Sequence, residues 1–217
     1  MALESLTMVR HGESAGNAAA ARAALAESEV FDSGTRDPDS PLTELGRRQA
    51  GAVGAWLAGR PERRWTVWCS PYLRARETAD IALRGTTVSA SRVDERLRDR
   101  DIGSLHGLTE LGWRRRYPEE LARRERLGRF YYRPPGGESW TDVALRLRTL
   151  LPELDGHVLV FAHDIVVVMM RYVLDNLDEN AILAIEKNQI RNASISRWER
   201  SGSRLVRAGY NETAHLG

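Results

Sequence analysis

His11 and His163 each stand directly after a short apolar run, residues 6–9 and 158–162, and each run stops where a strand would turn into its next element. A third run, residues 65–69, ends at Ser70 with Arg74 four residues further on, and Arg10 immediately precedes His11. In an open α/β sheet ligands bind in the crevice beyond the carboxyl ends of the strands, so these side chains would share one edge. Singly each has an ordinary reading: a histidine at a strand end is a structural hydrogen-bonder, and an arginine early in a helix faces solvent. Jointly, two imidazoles and two guanidiniums supply many donors and fixed positive charge, which suits a dianionic phosphoryl group. The histidines show neither H-x-H nor H-x-x-x-H spacing, and arginines would repel a cation, so no metal site is expected.

The elements that must position these groups can be read in order. After the first strand a helix is expected over 18–26, and residues 31–41, FDSGTRDPDSP, form a loop of the kind that covers a site. Thr43 can cap an amphipathic helix carrying Leu45, Ala50, Val53 and Leu57 and ending near Gly59. The strand at 65–69 opens into a helix over 72–83, a weaker strand follows at 86–90, and 96–107 is irregular and charged. Helices over 109–127 and 139–151 are separated by Arg133-Pro134-Pro135-Gly136-Gly137-Glu138. The run 158–162 is continuous, as in a strand buried on both faces; a helix to 174 follows, then 193–199 with 205–208 as an antiparallel pair. The pattern predicts an α/β three-layer sandwich, a mostly parallel central sheet flanked by helices. One domain over 1–217 is expected, with a loop at about 31–41 and a helical insertion at about 105–135 shaping the site.

Composition narrows the function classes. The formal charge is +2 and Lys187 is the only lysine among 32 basic residues, an arginine bias spread along the chain that does not call for nucleic acid. Arg114, Arg115, Arg116, Arg123 and Arg124 interleave with Glu119, Glu120 and Glu125 as on a solvated helix face. No apolar run approaches the roughly 18 residues of a membrane span, and MALESLTMVR lacks the pattern of a secretory leader. A cytoplasmic protein with no membrane partner is expected. Cys69, the single cysteine, reads as a small core hydrophobe.

Arg10-His11-Gly12-Glu13-Ser14, with Asn17 after it, resembles the opening motif of the histidine phosphatase superfamily, which includes the cofactor-dependent phosphoglycerate mutases. Pro41-Leu42-Thr43-Glu44-Leu45-Gly46 is similar to the stretch before the family's next helix. Ser70-Pro71-Tyr72-Leu73-Arg74-Ala75-Arg76-Glu77-Thr78-Ala79 is similar to its S-P-x-x-R-A-x-x-T-A segment, and Gly137-Glu138-Ser139 to its G-G-E-S turn. His163 matches the second family histidine, and the motifs occur in the family's order. The resemblance implies a phosphoglycerate mutase-like fold, His11 as nucleophile, and Arg10, Asn17, Arg74 and His163 around the phosphate. It places Asp99, in Leu97-Arg98-Asp99-Arg100-Asp101-Ile102-Gly103, at the proton donor, with Glu95 and Asp101 as rivals.

The chain departs from the family at Asp164, where glycine usually follows the second histidine. That carboxylate either turns outward to cap the next helix or crowds the pocket. The runs expected of the glycolytic mutases are missing: Thr109-Glu110 stands where Asn-Lys would be. Hydrolysis of a small-molecule phosphate ester, without cofactor or metal, is therefore the expectation, against a mutase or a silent phospho-ligand binder. Whether the chain forms a homodimer is open.

Overall fold

The computed structural model describes residues 2–60 and 63–217; Met1, Pro61 and Glu62, the first belonging to the N-terminal stretch read above, lie outside them. Four parallel strands form one side of a six-stranded sheet: β1 (Leu3–Arg10), β2 (Trp65–Cys69), β3 (Val88–Val93) and β4 (Gly156–Ala162). Two antiparallel strands, β5 (Ile195–Ser201) and β6 (Arg204–Glu212), extend it, and the order is β3-β2-β4-β1-β5-β6. Strand β4 lies between β2 and β1, which explains its uninterrupted apolar run. Val158 to Ala162 are all fully buried and alternate between the two faces, each large side chain contributing about 1.5–3 kcal/mol of burial.

Helices cover both faces. Helices α2 (Glu44–Ala58) and α3 (Leu73–Ala82) pack on Val9, Val67, Leu159, Phe161 and Ile195. On the opposite face α6 (Trp140–Leu150) and α7 (Asp164–Leu174) pack on Leu6, Met8, Trp68, Val160 and Trp198. Cys69 is buried as expected, and burial pushes its thiol up to about 12.

Several boundaries differ from the sequence reading for local reasons. Helix α1 (Ala15–Leu25) starts earlier than 18, because Ser14 caps it and Asn17 bonds back to the Ser14 amide. The helix expected over 109–127 is two, α4 (Glu110–Arg116) and α5 (Pro118–Leu127), since Pro118 forces the preceding Tyr117 out of helical geometry. Strand β3 is displaced from 86–90, the terminal pair is longer than read, and α8 (Glu179–Glu186), capped by Asp178, was not anticipated.

Candidate active site

The sheet register places the chemistry. Arg10 pairs with Ala162 and Cys69 with Phe161, so His11, His163 and Ser70 emerge side by side at the carboxyl edge. The ladder continues one step further: the His11 amide donates to Ala162 O and that of Ser70 to Phe161 O, both at 2.9 Å. The His11 and His163 rings stand 5.1 Å apart, edge to face.

His11 is oriented by its own turn. Its Nδ1 lies 2.7 Å from Gly12 O; a carbonyl can only accept, so Nδ1 carries the proton and Nε2 keeps its lone pair. Burial, and then the charges of Arg74, His163 and Arg10, hold its pKa well below the ordinary imidazole value, and the ring is neutral. The turn is tight: a Cβ on Gly12 would sit 2.4 Å from Gly46 O at the start of α2, so only glycine fits.

His163 is fully buried, with one ring nitrogen hydrogen-bonded and the other set against a carboxylate. Its Nε2 is 2.8 Å from Ser70 Oγ, while Nδ1 lies 3.3 Å from Asp99 Oδ2, close but outside hydrogen-bond alignment. The arrangement balances if Ser70 donates to Nε2 and the Nδ1 proton faces the carboxylate. Burial lowers the His163 pKa more strongly than Asp99 raises it.

Arg74, reaching in from the first turn of α3, is the junction of the site. Its Nη2 donates to Asp99 Oδ2 at 2.9 Å, and Nη1 and Nη2 reach the Asp37 carboxylate at 3.1 and 3.4 Å. Burial pushes Asp99 upward, but the neighbouring His163 N–H and the Arg74 charge outweigh it and hold the carboxyl well below the usual carboxylate range. Asp99 is thus ionised here. Its rivals are placed differently: Glu95 is exposed and off the cavity wall, and Asp101 sits at the rim with Oδ1 accepting from Gly103 N.

The segment bearing Asp99 is held from behind by the Gly137-Glu138-Ser139 turn. Arg98 and Arg146 both pair with Glu138, Arg146 also donates to Asp99 O, and Glu138 Oε2 accepts from Asp101 N. A Cβ on Gly137 would lie 2.5 Å from Asp101 O, so glycine is what lets the turn approach.

A cavity of about 700 Å³ opens in front of Arg74 and Asp99, and Asn17, Asp37, Tyr72, Trp140 and Asp164 border it. Arg10 is 5% exposed; one guanidinium nitrogen donates to Ile190 O, another lies 3.7 Å from Asp164 Oδ2, and Nε is buried without a partner. Asp164 meets both expectations in part: its Oδ1 accepts from Ile165 N at 2.6 Å in the first turn of α7, while Oδ2 lies toward Arg10. His163 occupies the cap position of α7, and Asp164, one residue on, faces Arg10 and the cavity. Asn17 Oδ1 is taken by Ser14 N and Asn192 Nδ2, leaving its own amide for a ligand.

Sequence reasoning missed the segment before β5. Asn192 Nδ2 donates to both Asn17 Oδ1 and His11 O at 3.1 Å, while Gln189 and Ile190 wall the cavity. It also missed Asp37 as a partner of Arg74. Among the described residues, no group of three or more His, Cys, Asp or Glu gathers as metal ligands, and no helix is long and apolar enough to cross a membrane.

Known proteins resemble the chain over most of its length. The chain is 33% identical over 190 residues to a 2,3-bisphosphoglycerate-dependent phosphoglycerate mutase of Gloeobacter violaceus, covering 83% of this chain and 80% of the relative. It is 32% identical over 164 residues to a 6-phosphofructo-2-kinase/fructose-2,6-bisphosphatase of Caenorhabditis elegans, covering 75% of this chain but spanning only 32% of that longer protein. A mycobacterial glucosyl-3-phosphoglycerate phosphatase solved with VO3 superposes with a TM-score of 0.77 at 29% identity, covering 97% of this chain and 100% of the other. Residues 6–213 match the Histidine phosphatase superfamily (branch 1), and with the two histidines at adjacent strand ends the chain belongs to that superfamily.

Proposed function

We propose that the protein hydrolyses a small-molecule phosphate monoester through a phosphohistidine on His11, with Asp99 as proton donor and then base. The observation that carries this reading is the His11 ring, its Nδ1 tied to Gly12 O at 2.7 Å, standing 5.1 Å from His163, with His163 and Arg74 converging on Asp99. A neutral imidazole with its lone pair on Nε2 is a competent nucleophile. Arg10 and Arg74 carry fixed charge for the equatorial oxygens as the phosphoryl group transfers, without a metal. Asn17 adds an amide donor, and His163 holds Asp99 in place.

In the first step the P–O bond to the alcohol breaks as the bond from His11 Nε2 to phosphorus forms, and Asp99 gives its proton to the departing oxygen. In the second, Asp99 takes a proton from water, whose oxygen attacks phosphorus and releases His11. Asp99 is ionised in the unliganded protein, so substrate must raise its pKa. An incoming dianion does so by adding negative charge beside the carboxyl and drawing Arg74 toward itself.

Hydrolysis is favoured by the surroundings. Asp99, the base that must activate water, lines the cavity of about 700 Å³, whose rim includes the exposed Asp101, His106 and Arg129, so water can reach it beside the buried His11. The second reading, mutase-type transfer, is favoured by the 33% identity to a phosphoglycerate mutase over most of the chain. Incubation with a panel of phosphate esters separates the two. Free phosphate is expected; isomerised 3-phosphoglycerate without phosphate release would establish the mutase instead.

A further inference from the structure

We infer that Asp37 is an internal occupant of the phosphate site: its carboxylate holds Arg74 in the unliganded protein, yields it to the incoming phosphoryl group, and returns as product phosphate leaves. The inference rests on the assignment of Arg74 to the phosphoryl group.

Arg74 is 4% exposed and its contacts are almost all acidic. The Asp37 carboxylate faces both terminal nitrogens, Oδ1 to Nη1 at 3.1 Å and Oδ2 to Nη2 at 3.4 Å, and its backbone carbonyl accepts from Nη1 at 2.7 Å. That fork is the geometry in which a guanidinium grips two oxygens of a phosphate. Asp99 fills what remains of Nη2 at 2.9 Å. Both terminal nitrogens of Arg74 are therefore taken, and a phosphoryl group reaches them only by replacing a carboxylate. Asp99 is lodged against His163 and tied back through Arg100 N and Arg146. Asp37 is freer to leave, with a side chain 35% exposed and a position in a short turn of the 31–41 loop.

Besides the Asp37 carbonyl on Arg74, which the side chain need not disturb, the loop is attached on either side of that turn. Ser40 Oγ accepts from Gly16 N at 2.9 Å, at the start of α1, and Phe31 N donates to Gly107 O at 2.9 Å. Asp37 can thus swing without loss of the loop's anchors. Its return would make product phosphate a weak ligand, since the departing dianion is replaced by a tethered carboxylate. Asp37 is in this sense an affinity-setting residue.

The test is calorimetric titration of inorganic phosphate into the wild type, Asp37→Asn, Asp37→Ala and Arg74→Gln, with melting curves to confirm folding. In the two Asp37 variants the backbone carbonyl that binds Nη1 is still present, so only the carboxylate is removed. Both are expected to bind phosphate about three- to tenfold more tightly, the scale of a partly buried ion pair, and to be inhibited more strongly by product phosphate. Unchanged or weaker binding in both overturns the inference and makes Asp37 a strut for Arg74. If Arg74→Gln leaves phosphate affinity unchanged, the underlying assignment of Arg74 is what fails. If Arg74→Gln weakens binding but the Asp37 variants do not tighten it, the assignment stands and the internal occupant falls.

Discussion

Asp99→Asn tests the proton-transfer role with little change of shape. The amide oxygen can still accept from Arg74, now 2.9 Å from Oδ2, although the acceptor used by Arg100 N at 2.8 Å is lost. What disappears is a group able to give and take a proton. General acid–base catalysis contributes about 10²- to 10⁴-fold, or about 3–5 kcal/mol. For an alkyl phosphate, whose alkoxide leaves poorly without a proton, the expected loss in kcat/KM is about 10³-fold. For p-nitrophenyl phosphate the leaving anion is stable, so phosphorylation of His11 should fall by less than about tenfold. Water attack still lacks its base, so phosphoenzyme should accumulate. Stopped-flow absorbance should then show a burst of p-nitrophenolate close to one per enzyme, followed by slow turnover. Equal losses on both substrates with no burst would refute the assignment, and so would a larger loss from Glu95→Gln, since Glu95 is exposed and off the cavity wall.

Other consequences follow from the same geometry. His11 and His163 are both held neutral in the fold, largely by burial, whereas in the unfolded chain they take protons near the ordinary value of 6.5. The unfolded state therefore binds more protons as pH falls below about 6.5, and the urea midpoint should decline from there downward, whereas a midpoint that is flat or rises on acidification contradicts buried neutral rings. Gly137→Ala places a Cβ 2.5 Å from Asp101 O; thermal melts should show about 1–3 kcal/mol of destabilisation, with kcat reduced more than KM is raised because Asp99 is displaced. Asn192→Ala frees Asn17 Oδ1 and His11 O from their shared donor, and kcat/KM should drop about tenfold, the size of one hydrogen bond to a reacting group; an unaltered value would remove Asn192 from the site.

Much of this arrangement was legible because β4 carries a continuous apolar run over residues 158–162 and β1 a shorter one broken only by Thr7, and each run ends close to a histidine. Arg10, His11, Arg74 and His163 all emerge from the carboxyl ends of neighbouring strands or the helix after them. Two local signals were available and unread: Ser14 with Asn17 as a cap for α1, and Pro118 as a break after Tyr117. Other features had no readable pattern. Ile190 serves the site through its carbonyl, which any residue carries, and Asn192 through one amide in a segment without periodicity. Asp37 looked like an ordinary turn former in a polar loop, and only the fold shows that its carboxylate lands on Arg74. Asp164 could be read two ways, and the fold uses both: one carboxylate oxygen accepts from Ile165 N in the first turn of α7 and the other lies toward Arg10 at the cavity edge.

The central claim is that His11 carries the phosphoryl group during turnover. Rapid quench of the enzyme with a phosphate-labelled ester, followed by alkaline digestion and mass spectrometry, tests it directly. Acid-labile, alkali-stable phosphate on the peptide containing His11, present in Asp99→Asn and absent from His11→Ala, is the predicted result. Full turnover by His11→Ala, or label on any other residue, would contradict the account.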